Sequence, residues 1–314
     1  MCLSACLTCG CTLAEFPENG GVDPTAISVK LVVKAENSSY PSRSVPGIDG
    51  GGGLSRRVIA AAYLDHELVD MQTVYVDKVR SSDKAEIEML LHARNYQLVV
   101  WSDFVEAGTM RELYYASAGF PIIGPADGYA GNVLLKDGFS HVGELDLTPY
   151  ADEWDATVSE DILLERVTAC YELRADDSDL FLQRLEKGEI EGECFTVRVT
   201  YAGYYPDSFD AYYGIVKNFG ERVSYSRPFS PDELGEDFLL ACDCPLADEE
   251  GESYPAAVEI VDEKGNAIAR TSVRIPCERG KKTVVRSDFL TSETEEGIHI
   301  DTDFDGVIEI EVVK

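Results

Sequence analysis

Hydrophobic and polar residues alternate with a period of two in several parts of this chain. The pattern is clearest in the segment Ile27–Val33, where Ile, Val and Leu occupy every second position, and again in Val307–Val312 near the other end. Side chains two residues apart lie on the same face of an extended strand, so each segment is predicted to be a β-strand with one buried face.

Further strands are predicted from short runs rich in β-branched and aromatic residues. They are Val58–Leu64, Thr73–Val76, Glu86–Leu91, Gln97–Ser102, Leu163–Leu173, Phe195–Tyr201, Asp237–Cys242, Ala256–Val261, Ala267–Ile275, Lys282–Arg286 and Ile298–Ile300. Asp262–Asn266 has the composition of a hairpin turn. Helical patterns are few: a short helix is predicted at Thr109–Ala116 and a helical turn at Asp179–Lys187.

Many short strands with few helices predict an all-β protein of β-sandwich architecture. The 314 residues are enough for two antiparallel sandwich domains in tandem, each with its own core. The predicted organisation is a leader remnant at 1–11, a spacer at 12–24, an N-terminal domain at 25–158 and a C-terminal domain at 159–314. Residues 36–57, which are rich in glycine and serine, are predicted to form a long loop.

The charge of the chain excludes one class of partner. Lysine and arginine total 27 and aspartate and glutamate total 58, which gives a net charge of −31. Such a charge repels nucleic acid, so nucleic-acid binding is not expected. No run of apolar residues is long enough to be a membrane-spanning helix.

The first eleven residues, MCLSACLTCGC, combine apolar and small residues with four cysteines. A short apolar segment that ends in a small residue and a cysteine is typical of a bacterial lipoprotein signal, which would give an acylated cysteine and a membrane anchor. Cys6 follows the closer match to the usual Leu-small-small-Cys pattern, whereas Cys11 directly precedes the polar spacer. A zinc or disulfide cluster is the alternative, and no histidine lies near to support it.

Five cysteines occur beyond the leader, at positions 170, 194, 242, 244 and 277. Their odd number and scatter do not indicate a disulfide framework, although one or two bridges remain open. Cys242 and Cys244 point to one face of a strand, and a bridge between them would be strained, so buried free thiols are predicted there.

Asp301, Asp303 and Asp305, followed by Gly306, match the first half of a calcium-binding loop. The twelfth position, where such a loop has a bidentate glutamate, is Val312. An acidic turn between strands is the alternative and is favoured, so neither a metal nor another cofactor is expected.

A dense group of tyrosines, Tyr204, Tyr205, Tyr212 and Tyr213, is a candidate contact surface for a glycan or a protein partner. The alternative, which is the commoner situation, is that these rings fill one end of a sandwich with their hydroxyls in solvent.

Catalytic signatures are missing from the sequence. The four histidines are isolated, no HExxH motif is present, and no serine or cysteine has the glycine context of a nucleophile elbow. We therefore expect the protein not to be an enzyme.

The dibasic step Arg56-Arg57 is predicted to be exposed at the end of the glycine-rich loop. A trypsin-like protease would then cut after Arg57, or alternatively after Arg56, because mobile loops are preferred sites of cleavage. Ordinary surface charge is the alternative interpretation and is favoured.

Several runs resemble the fimbrillin-type surface lipoproteins of Gram-negative gut and oral anaerobes. They are Val22–Thr25, Leu98–Phe104, Leu164–Ala169, Glu278–Gly280, Thr283–Arg286, Phe289–Thr291 and Phe304–Gly306. The resemblance implies two transthyretin-like sandwiches on a lipidated N-terminus in the outer membrane, and it favours Cys11 as the lipid site. It also implies subunits that form or support a fimbrium, with other fimbrial subunits and a host or bacterial surface glycan or protein as partners.

In such shaft subunits an arginine-directed protease removes the N-terminal strand, and a strand from a neighbour fills the vacated groove. Removal of Ile27–Val33 here would expose unpaired backbone groups and an apolar groove. The sequence departs from the shaft pattern because it ends at Lys314, directly after its last strand, so an anchor, accessory or terminal role is also expected. A glycan-binding lipoprotein of a nutrient-capture system is the alternative function.

Overall fold

The computed structural model describes residues 25–35, 54–76, 84–126, 128–292 and 307–312. These residues form nineteen strands, one α-helix and two 3-10 turns, so the predicted all-β class is confirmed. The strands are β1 (Ile27–Ala35), β2 (Leu54–Leu64), β3 (Glu67–Val76), β4 (Ala85–Leu91), β5 (Asn95–Glu106), β6 (Tyr115–Ala116), β7 (Ile122–Pro125), β8 (Phe139–Asp146), β9 (Thr157–Arg166), β10 (Cys170–Ala175), β11 (Phe195–Tyr201), β12 (Tyr204–Asp210), β13 (Ile215–Glu221), β14 (Ser224–Phe229), β15 (Phe238–Asp243), β16 (Glu252–Val261), β17 (Ala267–Cys277), β18 (Lys281–Ser287) and β19 (Val307–Val312). Helix α1 spans Ser178–Glu186, and the 3-10 turns span Thr148–Tyr150 and Pro231–Glu233.

The N-terminal part is built on one seven-stranded sheet with the order β3-β2-β5-β8-β9-β1-β4. Alternate residues of its strands point to a common core, which includes Val29, Leu31, Ile87, Leu98 and Leu164. The sheet curves around this core until β3 lies against β4, so its two end strands approach each other.

The C-terminal part is a sandwich of two four-stranded sheets, with the orders β15-β10-β18-β19 and β14-β11-β16-β17. Helix α1 packs on this core through Phe181, whose ring is fully buried. The hairpin turn predicted at Asp262–Asn266 joins β16 to β17, and the Asp262 carboxylate accepts hydrogen bonds from the backbone amides of Lys264 and Asn266. Gly265 in this turn has a φ of 83°, which favours glycine.

A fourth sheet, with the order β13-β12-β7-β6, joins the two parts of the molecule. It pairs β7, from the first part of the chain, with β12, from the second. One face of this sheet covers the outer face of β2 and β5. There Phe209 packs on Trp101 with their ring centroids 5.5 Å apart. The two parts therefore share both a sheet and a core.

The predicted boundary between residues 158 and 159 falls inside β9. This strand pairs in parallel with β1 and so belongs to the N-terminal sheet over its whole length. The chain passes to the C-terminal sandwich at residues 167–169, just after the buried Arg166. The carboxylate of Asp137 holds this crossing, because it accepts hydrogen bonds from Arg166 Nε at 3.1 Å and Thr168 Oγ1 at 2.6 Å. This crossing is also why the strand predicted at Leu163–Leu173 is divided into β9 and β10.

The helix predicted at Thr109–Ala116 is wrong. Met110 has a φ of 57°, which is incompatible with a right-handed helix, and the segment ends in the short strand β6. The carboxylate of Glu112 is engaged by Arg57, far away in the sequence. The helical turn at Asp179–Lys187 is confirmed as α1 and the strand at Val307–Val312 as β19, whereas the strand at Ile298–Ile300 lies outside the described residues.

Candidate functional site

The first strand of the described chain, β1, is an interior strand of its sheet, next to the end strand β4. It pairs in parallel with β9 on one side and antiparallel with β4 on the other, and Leu31 lies opposite Glu160 and Ile87 respectively. The backbone of β1 therefore satisfies one row of hydrogen-bonding groups on each neighbour. If β1 left, two strand edges would face an empty slot.

The two faces of β1 differ as the sequence predicts. The inward side chains of Ile27, Val29, Leu31 and Val33 are at most 1% exposed. On the outer face, the ammonium group of Lys30 lies 2.8 Å from the Glu86 carboxylate, and that of Lys34 lies 3.1 Å from the Asp161 carboxylate. The hydrogen bond to Glu86 raises the pKa of Lys30 above its usual 10.5.

The dibasic step was predicted to be exposed, and this prediction is wrong. Arg56 and Arg57 lie within β2, not in the loop before it, and are 5% and 3% exposed. Strand β2 pairs with β3 on one side and β5 on the other, so the peptide bond after Arg57 is part of two ladders. A protease therefore reaches that bond only if β2 leaves the sheet.

The side chain of Arg57 explains why a charge can be buried here. Its guanidinium donates two parallel hydrogen bonds to the buried Asp103 carboxylate, at 2.9 Å and 2.6 Å. It also donates to Glu112 Oε1 at 2.6 Å and to Ser117 Oγ at 2.8 Å. Burial alone would lower the pKa of Arg57, but the hydrogen bonds and charges of the two carboxylates outweigh it and raise that pKa.

Arg56 points to the other face of β2 and is held separately. Its Nε donates to Ser102 Oγ at 2.8 Å. Its guanidinium carbon also lies 5.6 Å from the centre of the Phe139 ring. Neither member of the dibasic step is therefore ordinary surface charge.

The candidate tyrosines do not form one exposed surface. Tyr205 is 2% exposed inside the C-terminal core, and Tyr212 is 8% exposed at the junction of the two parts. The Tyr212 ring packs edge-on against Tyr63, and its hydroxyl lies 2.7 Å from Nδ1 of His66. Tyr213 is 61% exposed, and the side chain of Tyr204 lies outside the described residues.

Tyr213 stands beside an open cleft of about 390 Å³, which is lined also by Ile215, Asp248, Glu249 and Arg279. Arg279 is anchored there, because its guanidinium donates to the carbonyl oxygens of Ala247 and Gly214. The cleft thus offers an aromatic face, carboxylates and a guanidinium to a polar ligand.

A buried polar cluster is centred on Asp243, which is fully buried at the end of β15. The hydrophobic and polar pattern of the sequence did not predict this cluster. The Oδ2 atom of Asp243 accepts hydrogen bonds from the hydroxyls of Tyr129 and Tyr201, the latter at 2.7 Å. Lys136, 6% exposed, places its Nζ 2.9 Å from Asp243 Oδ1. The available signals were a lysine directly after the apolar run 133–135 and an aspartate between two cysteines.

One disulfide bond joins Cys170 in β10 to Cys244, next to this cluster. Cys242 is a buried free thiol, as predicted, and burial raises its pKa to about 12. Cys277 is also buried and free, whereas Cys194 is free and exposed. The prediction that Cys242 and Cys244 are not bridged to each other is confirmed, and the prediction that Cys244 is a free thiol is wrong.

Two sets of candidate residues lie outside the described part of the chain. They are the lipidation candidates Cys11 and Cys6 and the calcium candidates Asp301, Asp303 and Asp305. Among the described residues, no group of three or more histidine, cysteine, aspartate or glutamate side chains could hold a metal ion. In the same residues, no helix has the length and apolarity needed to span a membrane.

A family model described as a family of unknown function, DUF6562, matches residues 19–313. No curated protein matches the chain.

Several solved structures are similar in overall architecture. A "putative cell adhesion protein" from Parabacteroides distasonis is 13% identical, with a TM-score of 0.45, and the match covers 91% of this chain and 96% of that one. The fimbrial anchor protein Mfa2 from Porphyromonas gingivalis is 12% identical, with a TM-score of 0.43 and coverages of 83% and 90%.

Proposed function

The chain belongs to the family of unknown function DUF6562, and we propose that it is a lipid-anchored fimbrial subunit of the accessory or anchor type that supports adhesion. The observation that carries this proposal is the placement of β1, which is the first strand of the described chain and is paired on both sides within its sheet. The proposed work is contact with other subunits through the surface and, where β1 leaves its slot, pairing with a strand of another subunit, without a catalytic step.

The slot of β1 suits strand exchange for a physical reason. An outside strand with apolar residues at every second position could pair with β4 and β9 and bury the same four pockets as Ile27, Val29, Leu31 and Val33. All other strands could keep their places, because among the described strands β1 is connected along the chain to β2 alone. Exchange therefore requires departure of one strand only.

The buried dibasic step favours an accessory or anchor role over a shaft role. A shaft subunit must lose its first strand to accept a neighbour's, and the expected cut after Arg57 is protected by two ladders and a double ion pair. A subunit that keeps β1 fills its own slot. It would then join a fimbrium through other surfaces or as a terminal component.

Limited digestion of the full chain with trypsin tests whether the bond after Arg57 is protected and whether β1 can leave its slot once the chain is cut. Residues 36–53, between β1 and β2, contain one basic residue, Arg43. We expect the first cut after Arg43 and not after Arg57. We also expect the β1 fragment to stay bound until mild denaturant releases it, because burial and two ladders hold it. Mass spectrometry of the separated fragments identifies the cut.

Capture of a peptide completes the experiment. A labelled peptide of residues 25–35 should bind the cut chain after release of β1, and it should not bind the uncut Arg43→Gln variant. A matched peptide with V29D and L31D should bind neither. A first cut after Arg57 with loss of β1 contradicts the accessory role, and an emptied slot that rejects the peptide contradicts strand exchange.

The lipid anchor is proposed from the leader sequence, with Cys11 as the acylated residue and Cys6 as the alternative. Labelled palmitate fed to a bacterium that processes lipoproteins gives the test. We expect Cys11→Ala to lose the label and Cys6→Ala to keep it. The reverse result assigns Cys6, whereas labelling of both variants argues against either site.

The cleft beside Tyr213 supports a second candidate function, which is binding of a surface glycan. An exposed tyrosine ring can stack on a sugar face, and Asp248, Glu249 and Arg279 can bind its hydroxyls. Calorimetric titration with bacterial and host oligosaccharides tests it. Tyr213→Ala should abolish binding, and Tyr75→Ala, at another exposed tyrosine, should not. Equal binding by both variants would show that the glycan does not bind in this cleft.

A further inference from the structure

Asp243 and Lys136 form the most deeply buried amine and carboxyl pair on which the functional argument above does not depend. Their side chains are 0% and 8% exposed, and Nζ lies 2.9 Å from Oδ1. Nζ also donates to the carbonyl oxygen of Ala130 at 3.3 Å and lies 4.1 Å from the centre of the Tyr129 ring. The amine is thus held between the carboxyl group and an aromatic face.

The two oxygens of Asp243 have different surroundings. Oδ2 is bound by the hydroxyls of Tyr129 and Tyr201, which are themselves linked to Tyr205 and Tyr171 by hydroxyl contacts of 2.7 Å and 2.5 Å. Within the described chain, Oδ1 accepts no hydrogen bond of good geometry and faces the Lys136 amine. One oxygen is therefore polarised by donors, and the other is not.

From this geometry we propose that Lys136 and Asp243 condense to an intramolecular isopeptide bond. The Nζ–Cγ bond forms, and the Cγ–Oδ1 bond breaks. Oδ1 leaves as water with one proton from the carboxylic acid and one from the amine. Oδ2 remains as the amide oxygen, and no oxidant, reductant or further reactant is needed.

The surroundings favour this reaction in two ways: they favour the neutral forms of the amine and the acid, and they stabilise the negative charge that develops during attack. Burial lowers the pKa of Lys136 to about 7 and raises that of Asp243 well above its usual range. A neutral amine and a neutral acid are therefore accessible to the pair, and direct proton transfer between them is short. The hydroxyls of Tyr129 and Tyr201 donate to the oxygen on which negative charge develops when Nζ attacks Cγ.

Proximity and desolvation offset the tendency of an amide to hydrolyse in water. Groups held in contact behave as if present at an effective concentration of about 10⁵ M or more. Lys136 is held in place by its own segment, where Gly131 packs so closely on Tyr225 that a Cβ there would lie 2.2 Å from the ring. The aromatic surroundings also exclude the water that would reverse the reaction.

The bond would fasten the two parts of the molecule together. Lys136 precedes β8 of the N-terminal sheet, and Asp243 ends β15 of the C-terminal sandwich. The Cys170–Cys244 disulfide lies one residue further along the chain. The disulfide lies within the C-terminal sandwich, whereas the isopeptide bond would connect that sandwich to the N-terminal sheet. A covalent link that reduction does not break suits a surface protein under mechanical load, because it keeps the two parts joined when their shared core is strained.

Mass spectrometry of the full chain tests the bond. After reduction, we expect the intact mass to be lower than the sequence mass by one water. Trypsin should leave a branched peptide that joins residues 112–166 to residues 223–264, because a modified Lys136 is not a cleavage site. An intact mass equal to the sequence mass, with cleavage after Lys136, overturns the proposal.

Variants separate the reaction from the fold. Lys136→Met should restore the full mass. Lys217→Met, which removes a half-exposed lysine paired with Asp210, should keep the loss of water. Tyr201→Phe should fold, as judged by circular dichroism, and should form the bond more slowly. Loss of water that persists in Lys136→Met would assign the dehydration to another residue and overturn the proposal.

Discussion

At the scale of single residues, the partners of a side chain decide what a motif means. The dibasic step is adjacent in sequence, but Arg57 binds Asp103 and Glu112 on one face of β2, while Arg56 binds Ser102 on the other. Exposed basic residues invite proteolysis, whereas Arg57 instead fixes β2 to β5 and to the segment before β6. The dibasic step therefore has a structural role in holding β2 in its sheet.

We expect Arg57→Met to lower the free energy of unfolding by about 3–5 kcal/mol, because it leaves the Asp103 carboxylate buried without a partner. Urea unfolding followed by tryptophan fluorescence measures the loss. Arg111→Met, which removes an exposed ion pair with Glu106, is the matched control and should cost less than about 1 kcal/mol. The double variant R57M/D103L should recover most of the loss, and a loss that stays complete would argue that packing, not charge, is responsible.

The pH dependence of stability should carry a contribution from Glu112. Burial would raise its pKa, but hydrogen bonds from Arg57 and Ser117 outweigh burial and hold the pKa below its usual 4.5. A lowered folded pKa means that this stabilisation is complete above pH 4.5 and is lost as the pH falls below it. Urea midpoints measured from neutral to acid pH should fall less steeply in Glu112→Gln. An unchanged slope in this variant would contradict the assignment.

At the scale of elements, β1 illustrates how a local pattern predicts a strand and its buried face. The alternation of Ile27–Val33 is complete within the strand itself, and the structure places the apolar side chains inward. The pattern does not specify the neighbours. Parallel pairing with β9 depends on residues more than a hundred positions away.

Leu31→Ala should therefore lower the free energy of unfolding by about 2–5 kcal/mol, since Leu31 is fully buried in the middle of β1. It should also speed the release of the β1 fragment after a cut at Arg43. Lys30→Ala, one position away on the outer face, is the control. It should change the free energy of unfolding by less than about 1 kcal/mol and leave the rate of fragment release nearly unchanged. Equal effects of the two variants would contradict the assignment of the faces.

At the scale of the whole molecule, the shared sheet and its core make the two parts dependent on each other. Trp101 from β5 and Phe209 from β12 meet in this core, and both are fully buried. The structure is compatible with the predicted tandem arrangement. The two parts are not simply connected by a linker, however, because they share a sheet and a core. Strands β6 and β7 come from the N-terminal half of the sequence, and β7 pairs with β12 from the C-terminal half.

Phe209→Ala should destabilise this core by about 3–5 kcal/mol and turn one unfolding transition into two. Differential scanning calorimetry resolves the transitions. Tyr213→Ala, at an exposed ring four residues away, should leave a single transition at an unchanged temperature. A single, merely shifted transition in Phe209→Ala would indicate that other contacts suffice to couple the two parts.

Much of the secondary structure could be predicted, and the reasons for the misses are physical. Strands β12 and β13 are interrupted by tyrosine, proline and glycine, so their pattern resembles a surface patch instead of a buried sheet. The false helix at Thr109–Ala116 has helical composition, but Glu112 satisfies Arg57 and the chain turns at Met110. Of the four candidate tyrosines, Tyr213 is the one shown to be exposed, because the core was large enough to take Tyr205 and Tyr212.

Where hydrophobic and polar residues alternate, as in β1, the sequence alone predicts the strand and its buried face, because alternation acts over a few neighbouring residues. The fold was needed to show that Arg57 forms a buried ion pair, that Cys170 bonds to Cys244 across 74 positions, and that Lys136 contacts Asp243. Each of these depends on a partner from a distant strand. The burial that makes such a contact possible is created only when the sheets close around their cores.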